Sequence, residues 1–493
     1  MGRSRVVVVW LKRDLRLADH APLTQALATG LPVVLLYLWE PSLLAAPGVD
    51  LRHHRFAYQC LADLQQALPQ GHSLWMCHAE AVAALEQLAE VVEIAALFSH
   101  QETGSMATFT RDKAVGAWLR HRGIAWHQAV AGGVERGRTH RQGWPEQWYR
   151  RMAEPLLPVP AADLLAERLL PPPAAWQPTA VWQKPELLAY AQPNPQMQPG
   201  GRTAGLRYQD SFYEGRGRAY AWAISKPTEA RRACSRLSPY LALGALSLRE
   251  VYQRVAAARR TAPEGWQRPL AGLADRLRWR DHFIQKFEQE CAIEGRNFNR
   301  GYDLLPQPLR PERVEAWQQG RTGYPLVDAA MRCVVQTGYL NFRLRAMLVS
   351  FLCHALWQPW QAGALWLGRQ FLDYEIGIHI PQFQMQAGTV GIHVHRIYNP
   401  IKQGQDHDPA GHFVRRWVPE LAHVPAAYIH EPWLLSGLDR ALYKAEDYPA
   451  PIVAWEEAYH HARTTLWAHK THTAVRAEAQ RILARHTYGN RMA

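Results

Sequence analysis

One stretch, Leu340 to Trp357, constrains this 493-residue chain most, because it is almost wholly apolar yet carries Arg343 and Arg345 near its start. Such a stretch reads as a buried helix, and a buried guanidinium must find a counter-charge. Asp373 and Glu375, on the segment that follows, are the candidates. Just upstream, turn residues run from Gly320 to Pro325, and a proline costs nothing at the first position of a helix, where its missing N–H has no partner to lose. Leu326, Ala329, Ala330 and Cys333 then recur at helical spacing, which leaves Asp328 and Arg332 as an i, i+4 pair on another face.

The first third of the chain has a different period. Arg5 to Trp10, Leu31 to Trp39 and Glu93 to Ser99 read as buried strands. Pro22 to Thr29, His53 to Leu68, Ala79 to Val91 and Thr110 to Arg122 read as the helices between and after them. Strand–helix alternation predicts a parallel sheet covered on both faces, an α/β Rossmann-like domain over 1–135. No G-x-G-x-x-G follows the first strand, so a dinucleotide site of the usual kind is not expected there. A Pro-rich connector over 136–205, densest between Leu156 and Gly201, separates it from an all-α domain over 206–493.

Composition excludes several classes. No apolar run approaches a membrane span, and Arg13 and Asp14 interrupt the short run after the N-terminus, so the chain reads as cytoplasmic rather than secreted or membrane-bound. Six scattered cysteines without a C-x-x-C pair argue against disulfides and against an iron–sulfur cluster. A formal net charge of +13 favours an anionic partner, nucleic acid before others. His460, His461, His469 and His472 lack the partners that would complete a metal site, and no metal is assigned.

Two segments carry the chemistry of such a partner. In LADRLRWRDHF, Arg276, Trp279 and Arg280 fall on one helical face, and an indole between guanidiniums suits phosphates flanking an exposed base. In SRLSPYLALG, Ser235, Arg236 and Ser238 offer two hydroxyls and a cation at a helix start, which serves either for capping or for a pyrophosphate.

With these residues in view, the chain resembles the DNA photolyase and cryptochrome family, outside its iron–sulfur subgroup. The likeness is carried in order by WLKRDLRLADH, SRLSPYLALGALS, TGYPLVDAAMR, the R-x-R of Arg343 and Arg345, the D-x-E of Asp373 and Glu375, and RIYNPIKQGQDHDPAGHFVRRWVPEL. It implies a non-covalent FAD held by Tyr220, Ser235, Arg236, Leu237, Ser238, Arg345, Asp373, Tyr374, Glu375 and His379. It also implies UV-damaged DNA contacted by Arg276, Trp279, Arg280, Arg343, Met385 and Arg396. Glu375 would accept from the flavin ring, and Arg345 would stabilise the anionic reduced flavin. His379 stands where the family places an asparagine near the flavin, and would exchange a proton near neutral pH. The family's N-terminal domain holds a light-harvesting chromophore, but no residue set here fixes one.

The departures from the family pattern matter as much. Phe342 replaces an asparagine, Ala346 a methionine, Met385 a lesion-facing tryptophan, and Arg276 a lesion-binding glutamate. Of the tryptophan relay that photoreduces the flavin, Trp360 remains, while Phe383 and Gln307 replace the others; Trp366, Trp357 and Tyr339 are alternative relays. The resemblance therefore implies a monomeric, light-driven lyase that splits cyclobutane pyrimidine dimers with Trp279, Trp360 and His379 at its centre, acting preferentially on single strands. The alternatives are a blue-light photoreceptor, and repair of (6-4) photoproducts.

Overall fold

A computed structural model describes residues 3–393 and 395–487. It opens with strand β1, Arg5–Leu11, whose residues after Arg5 are all buried. A strand covered on both faces must be apolar on both, which is why its sequence is a continuous rather than an alternating run. With β2 (Val33–Trp39), β3 (Trp75–His78), β4 (Glu93–His100) and β5 (Ala125–Ala129) it forms a parallel sheet of order β3-β2-β1-β4-β5. Val7 pairs with Val33 on one side, and Val8 with Leu97 on the other. Helices α1 (Ala21–Leu27), α2 (Leu51–Gln66), α3 (Ala81–Val91) and α4 (Met106–His121) supply the crossovers.

The edge strands β3 and β5 are absent from the sequence reading. Both are short, and β5 is nowhere fully buried, so neither shows the apolar run that reveals a central strand. The connector is also less bare than expected. Short helices at Ala162–Arg168 and Pro178–Trp182 interrupt it, and Leu170 donates its backbone N–H to Val33 beside the sheet edge. Trp75 Nε1 donates to the Leu170 carbonyl at 2.7 Å, so the connector is fastened to the α/β layer.

From residue 202 onward the described chain is helical, without a strand. The elements that matter below are α5 (Tyr220–Ala223), α6 (Ser238–Ala242), α7 (Gln267–Gln289), α8 (Pro325–Thr337), α9 (Phe342–Ser350), α10 (Gln361–Gln370) and α11 (Ile376–Ala387). Helix α7 runs through the domain and α11 packs along it, Gly377 lying against Ile284 where a larger side chain would crowd the crossing. No described helix is long and apolar enough to cross a membrane.

Two local expectations need correction. Leu340 to Trp357 is not a single helix: α9 ends at Ser350, a π-turn spans Phe351–Ala355, and Trp357 adopts φ 53°. Pro359 disfavours helical backbone at the residue before it, and the wider turn carries the chain out. Nor do Asp328 and Arg332 pair with each other. Buried Asp328 accepts from the Thr322 N–H (2.8 Å), the Thr322 hydroxyl (2.7 Å), the Gly323 N–H (3.1 Å) and the Tyr448 hydroxyl (2.6 Å). Arg332 turns instead to Glu420 at 2.7 Å.

Candidate functional site

The ion pair expected from the two arginines forms with one of the two carboxylates. Arg345, in α9, donates Nη2 to Asp373 Oδ2 at 3.0 Å and Nε to the Leu340 carbonyl at 2.9 Å, with its guanidinium over the Phe371 ring. Burial pushes the Asp373 carboxyl up, but Arg345 and the Ser238 hydroxyl at the start of α6 outweigh it and hold the group below the usual carboxylate range. Ser238, Arg345 and Asp373, far apart in sequence, therefore meet at one point. Arg236 stands two residues before Ser238 at φ 62°, its guanidinium 3.6 Å from the centre of the Tyr339 ring. Ser235 is half-buried, Leu237 is buried, and Tyr220 is buried beside Arg276 with its hydroxyl pushed up to about 12, chiefly by burial.

Among the described residues, three buried polar atoms around this cluster lack a hydrogen-bond partner: Asp373 Oδ1, Arg236 Nε and Asn341 Oδ1. Each costs about 1–3 kcal/mol if left unsatisfied. A ligand that brings both N–H donors and anionic oxygens satisfies all three, and a flavin dinucleotide is such a ligand.

The remaining site residues divide. Glu375 does not face the Arg345 cluster; its carboxylate is gripped by both terminal nitrogens of Arg13, at the end of β1, and it also caps α11. Arg280 likewise leaves the face it was expected to share with Arg276 and Trp279. It donates to Asp281 (2.9 Å) and to the Leu241 carbonyl (3.1 Å). For Glu375 the cause is that the α/β domain supplies a partner that helical periodicity within the second domain cannot reveal; for Arg280 the partners are a neighbouring carboxylate and a carbonyl of α6 within the second domain itself. Tyr374 packs between His53 and His379 and against Gly368, so its ring belongs to this junction too.

His379 does not exchange a proton near neutral pH. Its Nε2 lies 2.7 Å from the Ala364 carbonyl in α10 and therefore carries the proton, while burial pushes its pKa down to about 4. It is neutral throughout the physiological range, with Nδ1 as an acceptor.

On the outer face, Trp279 is 46% exposed, and its inner side rests on His282 and Phe283. Arg276 and Arg396 are exposed, Arg343 is half-buried with Ser225 Oγ at 3.3 Å, and Met385 is partly buried against the core. Trp360 is buried, donates to Asn297 Oδ1 at 2.8 Å, and has Phe383 as its aromatic neighbour at 6.4 Å. Gln307 is bound to the Cys353 carbonyl. Trp366, half-buried, lies 5.9 Å from the fully buried Trp317.

Between the domains lies a cavity of about 530 Å³ lined by Lys12, Arg13, His100, Glu102, Arg280 and Glu375 among others. It sits beyond the carboxyl ends of β1 and β4, where the strand order reverses. Beside it, Asp14, His20 and His100 bring metal-ligating atoms within 4.8 Å of one another. They lie against one another instead. His20 Nδ1 accepts from the Leu23 N–H, which places its proton on Nε2, 3.1 Å from Asp14 Oδ2, while His100 Nδ1 meets the same oxygen at 2.6 Å. Coordination through His20 Nε2 would require a tautomer that breaks the cap of α1.

The sequence matches the family model described as FAD binding domain of DNA photolyase over residues 273–468, and that described as DNA photolyase over 7–149. It is 31% identical over 478 residues to a deoxyribodipyrimidine photo-lyase of Vibrio cholerae, covering 89% of this chain and 95% of the relative. It is 29% identical over 487 residues to a cryptochrome DASH of Synechocystis, covering 92% and 96%. Among solved structures, a class III photolyase of Agrobacterium tumefaciens superposes with a TM-score of 0.81 at 25% identity, covering 96% of this chain and 99% of that one. A Synechocystis cryptochrome gives 0.80 at 27%, covering 94% and 100%. With its parallel α/β layer, its helical second domain and these likenesses along nearly its whole length, the chain belongs to the DNA photolyase and cryptochrome family.

Proposed function

We propose that this protein is a light-dependent DNA repair enzyme that binds FAD non-covalently at the Ser238–Asp373–Arg345 cluster and splits cyclobutane pyrimidine dimers. The observation that carries the reading is the juxtaposition of that cluster, with its three unpartnered polar atoms, and a helix that presents Trp279 to solvent beside Arg276. Bound there, reduced FAD supplies the photoexcited electron donor. Arg345, fixed by Asp373 and the Leu340 carbonyl, supplies a permanent cation for the anionic reduced cofactor. With FAD bound, Asp373 Oδ1 would accept from a ring N–H and Arg236 would serve the diphosphate, while the Ser238 hydroxyl stays committed to Asp373. His379, neutral with its Nε2–H committed to Ala364, acts as an acceptor and not as an acid. Trp279 stacks on the lesion, extruded from its strand at an unstacking cost that is least where the DNA is already single-stranded. Arg276, Arg343 and Arg396 take phosphates, so binding weakens as salt rises.

Release distinguishes repair from blue-light signalling. Dimer-containing single-stranded DNA bound to the reduced protein in darkness should dissociate after blue illumination, because the restored pyrimidines no longer fit as a unit. A complex whose affinity is unchanged by light, with its dimers intact, favours the photoreceptor.

A further inference from the structure

We propose that Trp222 is a second stacking platform, which takes an unpaired base of the strand running outward from the lesion; the inference rests on the DNA-repair reading and names the strand contact that sets its preference. Trp222 lies in α5 and is 56% exposed, whereas Tyr220 and Ala223 in the same short helix are buried and anchor it. The anchor is firm: the Tyr220 ring lies in van der Waals range of the space above Gly272 in α7, and its hydroxyl sits beside Arg276. The Arg268 guanidinium, also on α7, lies 5.8 Å from the Trp222 ring centre.

Arg268 and Trp279 stand eleven residues apart, which at 3.6 residues per turn returns them to the same face of α7 within about 20°, about 16 Å apart. Arg276 lies between them. The outer face thus sets two cations between two aromatics, from Trp222 and Arg268 through Arg276 to Trp279, over a span of about five nucleotides at the stacked rise. The other end of α5 is tied to α9, where Asn341 Nδ2 donates to the Ile224 carbonyl and Arg343 to Ser225 Oγ, so the exposed Phe342 belongs to the same rim. A positively charged track with exposed rings along it matches a single strand, whose unpaired bases offer free faces. A duplex offers none, since each base face is already covered by its neighbours.

The test uses the flavin-loaded full chain and undamaged oligothymidylate of about twelve nucleotides, within the usual site size. Trp222→Ala should weaken single-strand binding about tenfold, within the range for loss of one stacked base, with flavin content unchanged. Duplex binding should change less than twofold, and Trp222→Phe should restore most of the loss. The slope of log affinity against log salt should be unchanged in Trp222→Ala and shallower by about 0.7 in Arg268→Ala, because only the latter removes a phosphate contact. Repair of an isolated thymidine dinucleotide dimer, which has no flanking bases, should proceed at the wild-type rate in Trp222→Ala. Less than twofold loss on the single strand, or equal loss on single strand and duplex, overturns the platform. Wild-type protein that binds single strands through Trp222 but restores no pyrimidines from the dinucleotide overturns the repair reading and leaves the platform standing.

Discussion

Arg345 and Asp373 show how far a single pair of residues can be read. That a buried cation needs a carboxylate is elementary, and the sequence offered two; which one answers depends on Arg13, 332 residues upstream of Arg345 and in the other domain. Arg345→Ala should release flavin more readily and destabilise the protein at neutral pH, toward the low end of the roughly 3–5 kcal/mol typical of breaking a buried pair, because the Arg345 side chain keeps 26% of its surface in water. The penalty should depend on pH. Asp373 titrates below its unfolded value in the wild type, so its contribution is present above about pH 3.9 and is lost as pH falls through its folded pKa. Without Arg345 its pKa rises, so the difference between variant and wild type should be largest at neutral pH and shrink toward pH 4. Urea denaturation of both proteins across that range reads it directly.

At the level of elements, the helix after Gly320–Pro325 was legible from its proline and its spacing, and α8 begins at Pro325 as expected. What fixes that helix was not legible. Asp328 gathers the preceding turn and Tyr448, 120 residues on, into one buried knot, a partner that no local period announces. Asp328→Ala should cost about 3 kcal/mol, since it leaves two backbone N–H groups and two hydroxyls without their acceptor, whereas Tyr448→Phe should cost about 1 kcal/mol. The two are separated by thermal unfolding of the flavin-loaded variants. Electron entry belongs to this scale as well. Among the described residues Trp360 has Phe383 as its ring neighbour and Asn297 as its hydrogen-bond partner, with Gln307 where a further aromatic would relay, so Trp360→Phe should change the photoreduction rate less than twofold. Trp366→Phe should slow it several-fold, because half-buried Trp366 and buried Trp317 form the adjacent pair that reaches the surface. Steady illumination with an external thiol donor, followed at the flavin absorbance, measures both.

Across the whole molecule, the two domains were legible from the change of period alone, since continuous apolar strands and amphipathic helices bury their surfaces differently. Their junction was not, because Arg13, Arg280 and Glu375 each looked like part of a local motif. Glu375→Gln should leave the half-buried Arg13 without its counter-charge and lower the unfolding temperature by several degrees, with flavin content less affected than in Arg345→Ala. Acid should act on the whole chain through its histidines. Burial pushes His53, His100, His354, His379 and His486 each down to about 4. Between that value and the unfolded value near 6.5 the unfolded chain binds more protons, so stability falls as pH drops through this window. Unfolding at pH 5 should accordingly take up several protons, which calorimetry in buffers of different ionisation enthalpy counts.

The central claim, that this scaffold uses light and FAD to mend DNA stacked on Trp279, is tested most directly by chromatography of restored pyrimidines. Fully reduced, flavin-loaded protein is incubated with dimer-containing single-stranded DNA under blue light and in darkness, beside Trp279→Ala of equal flavin content. The account predicts restoration by the wild type in light alone, and a rate at least tenfold lower for the variant at limiting DNA, as expected when a stacking contact is lost. No restored pyrimidine from the illuminated wild type would contradict it.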